Sequence, residues 1–295
     1  MSEQTNEDIL HLAQQRITER KAAEIAERDA VVEVRLNHER PWRYAFLTFA
    51  GVLLLALLFT PGWPVEAKMY AVVHGVCAQE HHIALAGMTF PLCARNSGLY
   101  ISFLLTIGYI WAIGRSRAGK LPPLPVSLAL VAFVLIMAVD GFNSLFLDLR
   151  QPHLYTPDNR LRTLTGMGMG VSIAVIVHLV VNLSLRKNVD DQQRVLRGWG
   201  ELGGILLINF LVLVAIYGNL GFMFWPLAFI AFLGITGVLY IVSLLLTSLI
   251  MGYEGKVTQL SQLAKPATVA IIPTLIMLGG MSLLRYWLEG QGVIM

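Results

Sequence analysis

The chain has 295 residues, of which 56% are hydrophobic and only 14% charged. That balance excludes an ordinary soluble domain, and a formal net charge of +3 is too small to mark a nucleic-acid surface, so no nucleic acid is expected as a partner. Apolar runs of about twenty residues between charged blocks have the length that crosses a bilayer as helix. The expected fold is therefore all-α, a polytopic helical membrane protein in the lipid bilayer of the cell membrane, with about seven transmembrane helices and a cytosolic amino-terminal helix.

Residues 6–38 lack Pro and Gly and are rich in Ala, Glu, Gln and Arg, which predicts a charged helix closed by Pro41. Its apolar stripe is narrow and interrupted at Arg20, Lys21 and Glu24, a pattern that fits a solvated helix or one docked on a membrane-complex partner. The first span is expected at 44–63, flanked by Trp42, Arg43, Pro61, Trp63 and Pro64, and acting as an uncleaved signal anchor. A short interfacial helix at 65–79 and a small hairpin around Gly87 should follow, then a second span at 96–114 capped by Asn96 or Ser97. Five more spans are expected at 126–147, 161–185, 203–217, 224–251 and 267–286, the last kinked at Pro273. The chain then divides into a charged helix at 1–40, a four-span unit at 41–186 and three further spans at 187–295.

Positive charge orients this arrangement. With the amino terminus inside, the inner flanks hold twelve Lys and Arg, including Arg115, Lys120, Arg186 and Lys256, while the outer flanks hold six: Lys68, Arg95, Arg150, Arg160, Arg162 and Arg285. The excess predicts a cytoplasmic amino terminus, an external carboxyl terminus and an outward-facing 77–100 segment.

That segment holds the two cysteines of the chain, Cys77 and Cys93. Outside the cytoplasm they can persist as a disulfide, stabilising the loop by roughly 3 kcal/mol, or serve as a thiol pair. His74, Cys77, His81, His82 and Cys93 have metal-ligand chemistry but match no closed zinc spacing, so no metal is assigned and no cofactor is identified. Asp140 is the acidic residue set well inside an apolar span, where it costs about 2.5 to 3.5 kcal/mol and needs a partner. Asn143 lies one turn outward on the same face, and Arg95 and Arg162 have the reach to come down to its level. Arg95, Arg160 and Arg162 form a cationic set suited to a phosphate or anionic headgroup. Gly166 and Gly170 form a Gly-x-x-x-Gly pair expected to serve close helix packing, and His178 reads as a packing residue.

Cys77, Gln79, Pro91-Leu92-Cys93-Ala94-Arg95, Gly98, Tyr100, Asp140-Gly141 and Arg162-x-x-Thr165-Gly166 together resemble the prokaryotic membrane-protein family known as domain of unknown function 2085, over about residues 66–186. Members usually look like Cys-His-Gln at the first site and often Cys-Ala-Arg-Cys at the second. This chain has Ala78 and Asn96 there, which removes two potential ligands. The resemblance implies a unit of residues and brings no activity with it.

Three functions follow as expectations. In the first, an outward polar pocket built from Gln79, Arg95, Asn143, Arg160, Arg162 and Thr165 binds or processes an anionic lipid, with Asp140, Arg95 and Arg162 as candidate catalytic residues. In the second, the protein is a non-catalytic subunit of a larger membrane complex, docked through residues 6–38. The third, a transporter, is disfavoured by the lack of an internal repeat.

Overall fold

In a computed structural model of the chain the described residues are 2–38, 41–76 and 81–292. They contain nine α-helices: α1 (Ser2–His38), α2 (Trp42–Phe59), α3 (Val65–Val73), α4 (Ala94–Ala112), α5 (Leu124–Asp148), α6 (Asn159–Leu185), α7 (Trp199–Tyr217), α8 (Phe224–Ile250) and α9 (Ala264–Gly290). Four short strands join them: β1 (His82–Leu85), β2 (Met88–Cys93), β3 (Ala118–Lys120) and β4 (Asp190–Arg194). The molecule is all-α in class, and α2 and α5 to α9 supply six helices long and apolar enough to cross a membrane among the described residues.

The expected second span, α4, is not among those six, and its surroundings explain its composition. Ten of its 19 residues are buried, including Ser97, Ser102 and Thr106, because it packs along α6 and against α8. A helix enclosed by protein needs no fully apolar exterior. Its start also differs from expectation. The helix begins at Ala94, without a side-chain cap from Asn96 or Ser97, because β2 feeds straight into it and the Ala94 amide donates to the His81 carbonyl at 2.8 Å. Ser97 Oγ instead donates to the Leu92 carbonyl at 3.1 Å.

Small residues let α4 and α6 approach backbone to backbone. A Cβ at Gly166 would strike the Arg95 carbonyl, and one at Gly170 the Leu99 carbonyl, while Gly98 on α4 meets the Thr163 carbonyl in the same way. The contact fixes the register of the two helices that carry Arg95, Arg162 and Thr165.

Loops gather at two ends. At one, β1 and β2 form an antiparallel hairpin through Ala86 and Gly87, both with positive φ. The hairpin is clasped by the Ala86 amide donating to Asn219 Oδ1 at 2.9 Å and by Asn159 Nδ2 donating to the His82 carbonyl at 3.3 Å. At the other end β3 and β4 pair in parallel, and Arg115 reaches Glu201 Oε1 at 2.5 Å. The pairing of the polar β4 segment was not anticipated from its charged sequence. Here His178 Nε2 donates to the Arg115 carbonyl at 3.0 Å, in keeping with a packing role. The α4 helix therefore runs from the hairpin end to the β3–β4 end, and α6 runs beside it in the same direction, with Asn159 at the hairpin and His178 against Arg115. The largest apolar core lies toward the hairpin end, where Met69, Phe90, Leu92 and Ile101 meet Phe224, Ala231 and Ile235.

Candidate functional site

Beneath the hairpin lies a buried polar network centred on Asp140, which is 1% exposed. Arg95, one residue into α4, donates to Asp140 Oδ2 through Nε at 3.0 Å and Nη2 at 2.6 Å. The same Nη2 lies 3.1 Å from the Asp140 carbonyl and 2.8 Å from Ser144 Oγ, one turn further along α5. Thr165 Oγ1 is 3.2 Å from Oδ2, and the Tyr155 hydroxyl donates to Oδ1 at 2.7 Å. Both carboxylate oxygens are thus occupied by donors. Burial, reinforced by the hydrogen bond to Asp140, pushes the Tyr155 phenol from 10.0 up to about 12, so it remains a donor through the neutral range.

Asn143 organises the loop that delivers Tyr155. Its Oδ1 accepts from the Leu154 amide at 2.7 Å and the Tyr155 amide at 3.3 Å, while its Nδ2 donates to the Tyr155 carbonyl at 2.8 Å. Arg162 is 4% exposed and donates through Nη1 to Asn159 Oδ1 at 3.0 Å, but its Nε has no hydrogen-bond partner. Arg160 is exposed, with its guanidinium 5.6 Å from the centre of the Tyr217 ring.

The structure joins Arg95, Asp140 and Thr165 directly and sets Asn143 and Arg162 around them. Cys77 and Gln79 lie outside the described residues, so the cysteine-pair expectation falls there on its Cys77 side; Cys93 is buried at the end of β2. The three histidines diverge: His74 Nε2 is 2.9 Å from both Glu289 carboxylate oxygens, His81 faces Asp148 at 3.7 Å, and His82 lies edge-on to Tyr70. Among the described residues no group of three or more His, Cys, Asp or Glu side chains is placed to hold a metal ion. Ser144 and Tyr155 were missed from sequence. Ser144 shares the i, i+4 face with Asp140 and was available to helix geometry, whereas Tyr155 arrives on a nonperiodic loop and carried no such signal.

Fold and site define a multi-pass helical membrane protein with an ion-paired polar network between α4, α5 and α6. Residues 77–176 match the family described as "Predicted membrane protein (DUF2085)", which takes in the hairpin, α4, α5 and the part of α6 that carries Arg162 and Thr165. No curated protein and no solved structure matches the chain.

Proposed function

We propose that this is a multi-pass protein of the cell membrane whose hairpin end faces outward and binds the anionic headgroup of a membrane lipid. In this reading α4 crosses as the second of seven helices, the amino terminus is cytoplasmic and the carboxyl terminus external. Arg162 carries the reading. Two guanidiniums, Arg95 and Arg162, are buried near Asp140, whose carboxylate is committed to Arg95, while Asp148, also within electrostatic reach of Arg162, is exposed and faces His81. The remaining buried cation, with an unused Nε, calls for a counter-ion, and a phosphate fits the planar fork of arginine. Arg160 stands at the same end of α6 to add charge. The donors on both oxygens of Asp140 support a positioning role for it, holding Arg95, over acid–base chemistry.

Thermal unfolding of the purified full chain with short-chain phosphatidylglycerol, short-chain phosphatidylcholine or inorganic phosphate tests this. The Tm should rise with phosphatidylglycerol and not with phosphatidylcholine, and a rise with inorganic phosphate would assign recognition to the phosphate itself. Arg162→Gln should abolish the ligand shift without lowering the basal Tm, because it removes an under-partnered buried charge. A retained shift in that variant sinks the reading.

The subunit reading rests on a separate observation. Side chains 11–31 of α1 are all exposed, Leu12, Ile17 and Ile25 among them, and Asp29 reaches Lys187 at 2.5 Å near the helix's end. Such a helix is available to a partner. Deleting residues 1–38 should then release a stoichiometric partner from the natively purified protein.

A further inference from the structure

A second feature lies away from the polar network, among α2, α8 and α9. The three helices enclose a slot of about 450 Å³, with Phe232, Ile271 and Leu278 as its buried floor and Leu54, Leu233 and Leu275 as exposed lips. The slot exists because α2, which has no buried residue, packs on α9 and stands off α8. Phe46 and Tyr240, with ring centroids 6.2 Å apart, lie at its end nearest β3 and β4, while Leu57 and Val72 line its hairpin end. From Phe46 to Leu57 is eleven helical steps, a length of about 16 Å.

We infer that this slot holds one acyl chain of an anionic phospholipid, with the phosphate at Lys68. The chemistry of the walls selects hydrocarbon. The hydroxyls that line the slot are spent internally: Tyr240 donates to the Ala267 carbonyl at 2.9 Å, Thr236 to the Phe232 carbonyl at 2.8 Å and Thr274 to the Ala270 carbonyl at 2.7 Å. No lining hydroxyl proton is left to recognise a polar ligand, and a chain taken from the bilayer is held by van der Waals contact with the apolar walls. Charge at the mouth sets the direction of entry. Lys68 lies one turn before Val72 on α3, and its Nζ is 3.4 Å from the Leu58 carbonyl, next to the slot-lining Leu57. The ammonium therefore sits where the phosphate of a lipid with its chain in the slot emerges.

Gly237 offers a test that does not depend on destabilising the protein. It lines the slot, and a Cβ built there meets nothing within 4 Å. A leucine at this position fills the slot while improving helix propensity. Full-length protein in phosphatidylcholine vesicles, doped with phosphatidylglycerol carrying a photoactivatable group on one acyl chain, should label α8 and α9 in the slot-lining segments 229–240 and 271–278. Gly237→Leu should reduce that labelling at least about threefold, since the leucine side chain takes the space of several methylenes and removes their packing contacts. Labelling of the lipid-facing side of α5 should stay unchanged. Lys68→Gln should lower labelling by the phosphatidylglycerol probe toward that of a matched phosphatidylcholine probe. Equal labelling of slot and α5 segments in the unmodified protein, or undiminished slot labelling in Gly237→Leu, would overturn the inference; so would a protein dimer that disappears in Gly237→Leu. Arg162→Gln should leave slot labelling intact, which separates this site from the headgroup site proposed under the hairpin.

Discussion

Asp140 is the residue on which the hairpin end turns. Its carboxylate makes the buried position of Arg95 tolerable, and removing only its charge exposes the cost. Asp140→Asn should destabilise the protein by about 3 to 5 kcal/mol, because the buried Arg95 loses its counter-ion. The double variant Arg95→Gln with Asp140→Asn should lose less than the sum of the single changes, a coupling that a double-mutant cycle in thermal unfolding measures directly. Tyr155→Phe should cost about 1.5 kcal/mol, the low end for a hydrogen bond to a charged group given that the phenol is partly exposed. The phenol also predicts a pH dependence. Its folded value stands above its unfolded value of 10.0, so its contribution is fully present below pH 10.0 and is lost as pH rises through about 12. The difference in stability between the native chain and Tyr155→Phe should therefore be flat through neutral pH and shrink across that alkaline window. A constant difference up to pH 12 would disconnect Tyr155 from Asp140.

At the scale of elements, the α4–α6 contact determines whether Arg95 and Asp140 can meet. Gly166 faces the Arg95 carbonyl, so Gly166→Leu forces the two backbones apart where the ion pair is built. The expected penalty is at least about 1 to 3 kcal/mol from overpacking, together with a weaker coupling between Arg95 and Asp140. Gly141, beside the same aspartate, meets nothing within 4 Å of a built Cβ. Gly141→Ala should accordingly be neutral or stabilising by up to about 1 kcal/mol, which makes it a control for glycine replacement in α5. Parallel loss in both variants would assign the effect to helix flexibility and not to the α4–α6 approach.

Much of this level was legible in the sequence because helical period and span length are local properties. The Gly166–Gly170 spacing announced close packing, the isolated charge of Asp140 demanded a partner, and Arg95 and Arg162 were candidates by reach. The physical limit appears where contacts are made by chain segments without a period. Tyr155 reaches Asp140 only because Asn143 folds the intervening loop back, and β4 joins β3 across more than one helix. The early start of α4 likewise depends on the hairpin that delivers it, which a search for capping side chains does not see.

Across the whole molecule, the loop clusters impose an alternation that tests the topology. Asn159 contacts His82, and His81 faces Asp148, so the segments before α4 and after α5 share one end. The segments after α4 and after α6 meet at the other end through β3 and β4, and the Arg186–Val257 bridge brings the segment after α8 to the same end. Were α4 not to cross, the loops on either side of α5 would have to exchange ends and both sets of contacts would break. The proposed topology adds α4 to the six apolar helices as a seventh crossing and sets the β3–β4 end, with its excess of positive charge, on the cytoplasmic side. In a variant with Cys77 and Cys93 replaced by serine, His153→Cys should react with a membrane-impermeant thiol reagent on intact cells. Asp191→Cys should react only after the membrane is permeabilised. Both positions are exposed, so access to the side chain is not the limiting factor and the compartment alone decides the outcome. Reaction of both on intact cells would make α6 a helix that does not cross, and reversal of the two would place the hairpin, the Arg162 site and the Lys68 mouth of the slot in the cytoplasmic leaflet.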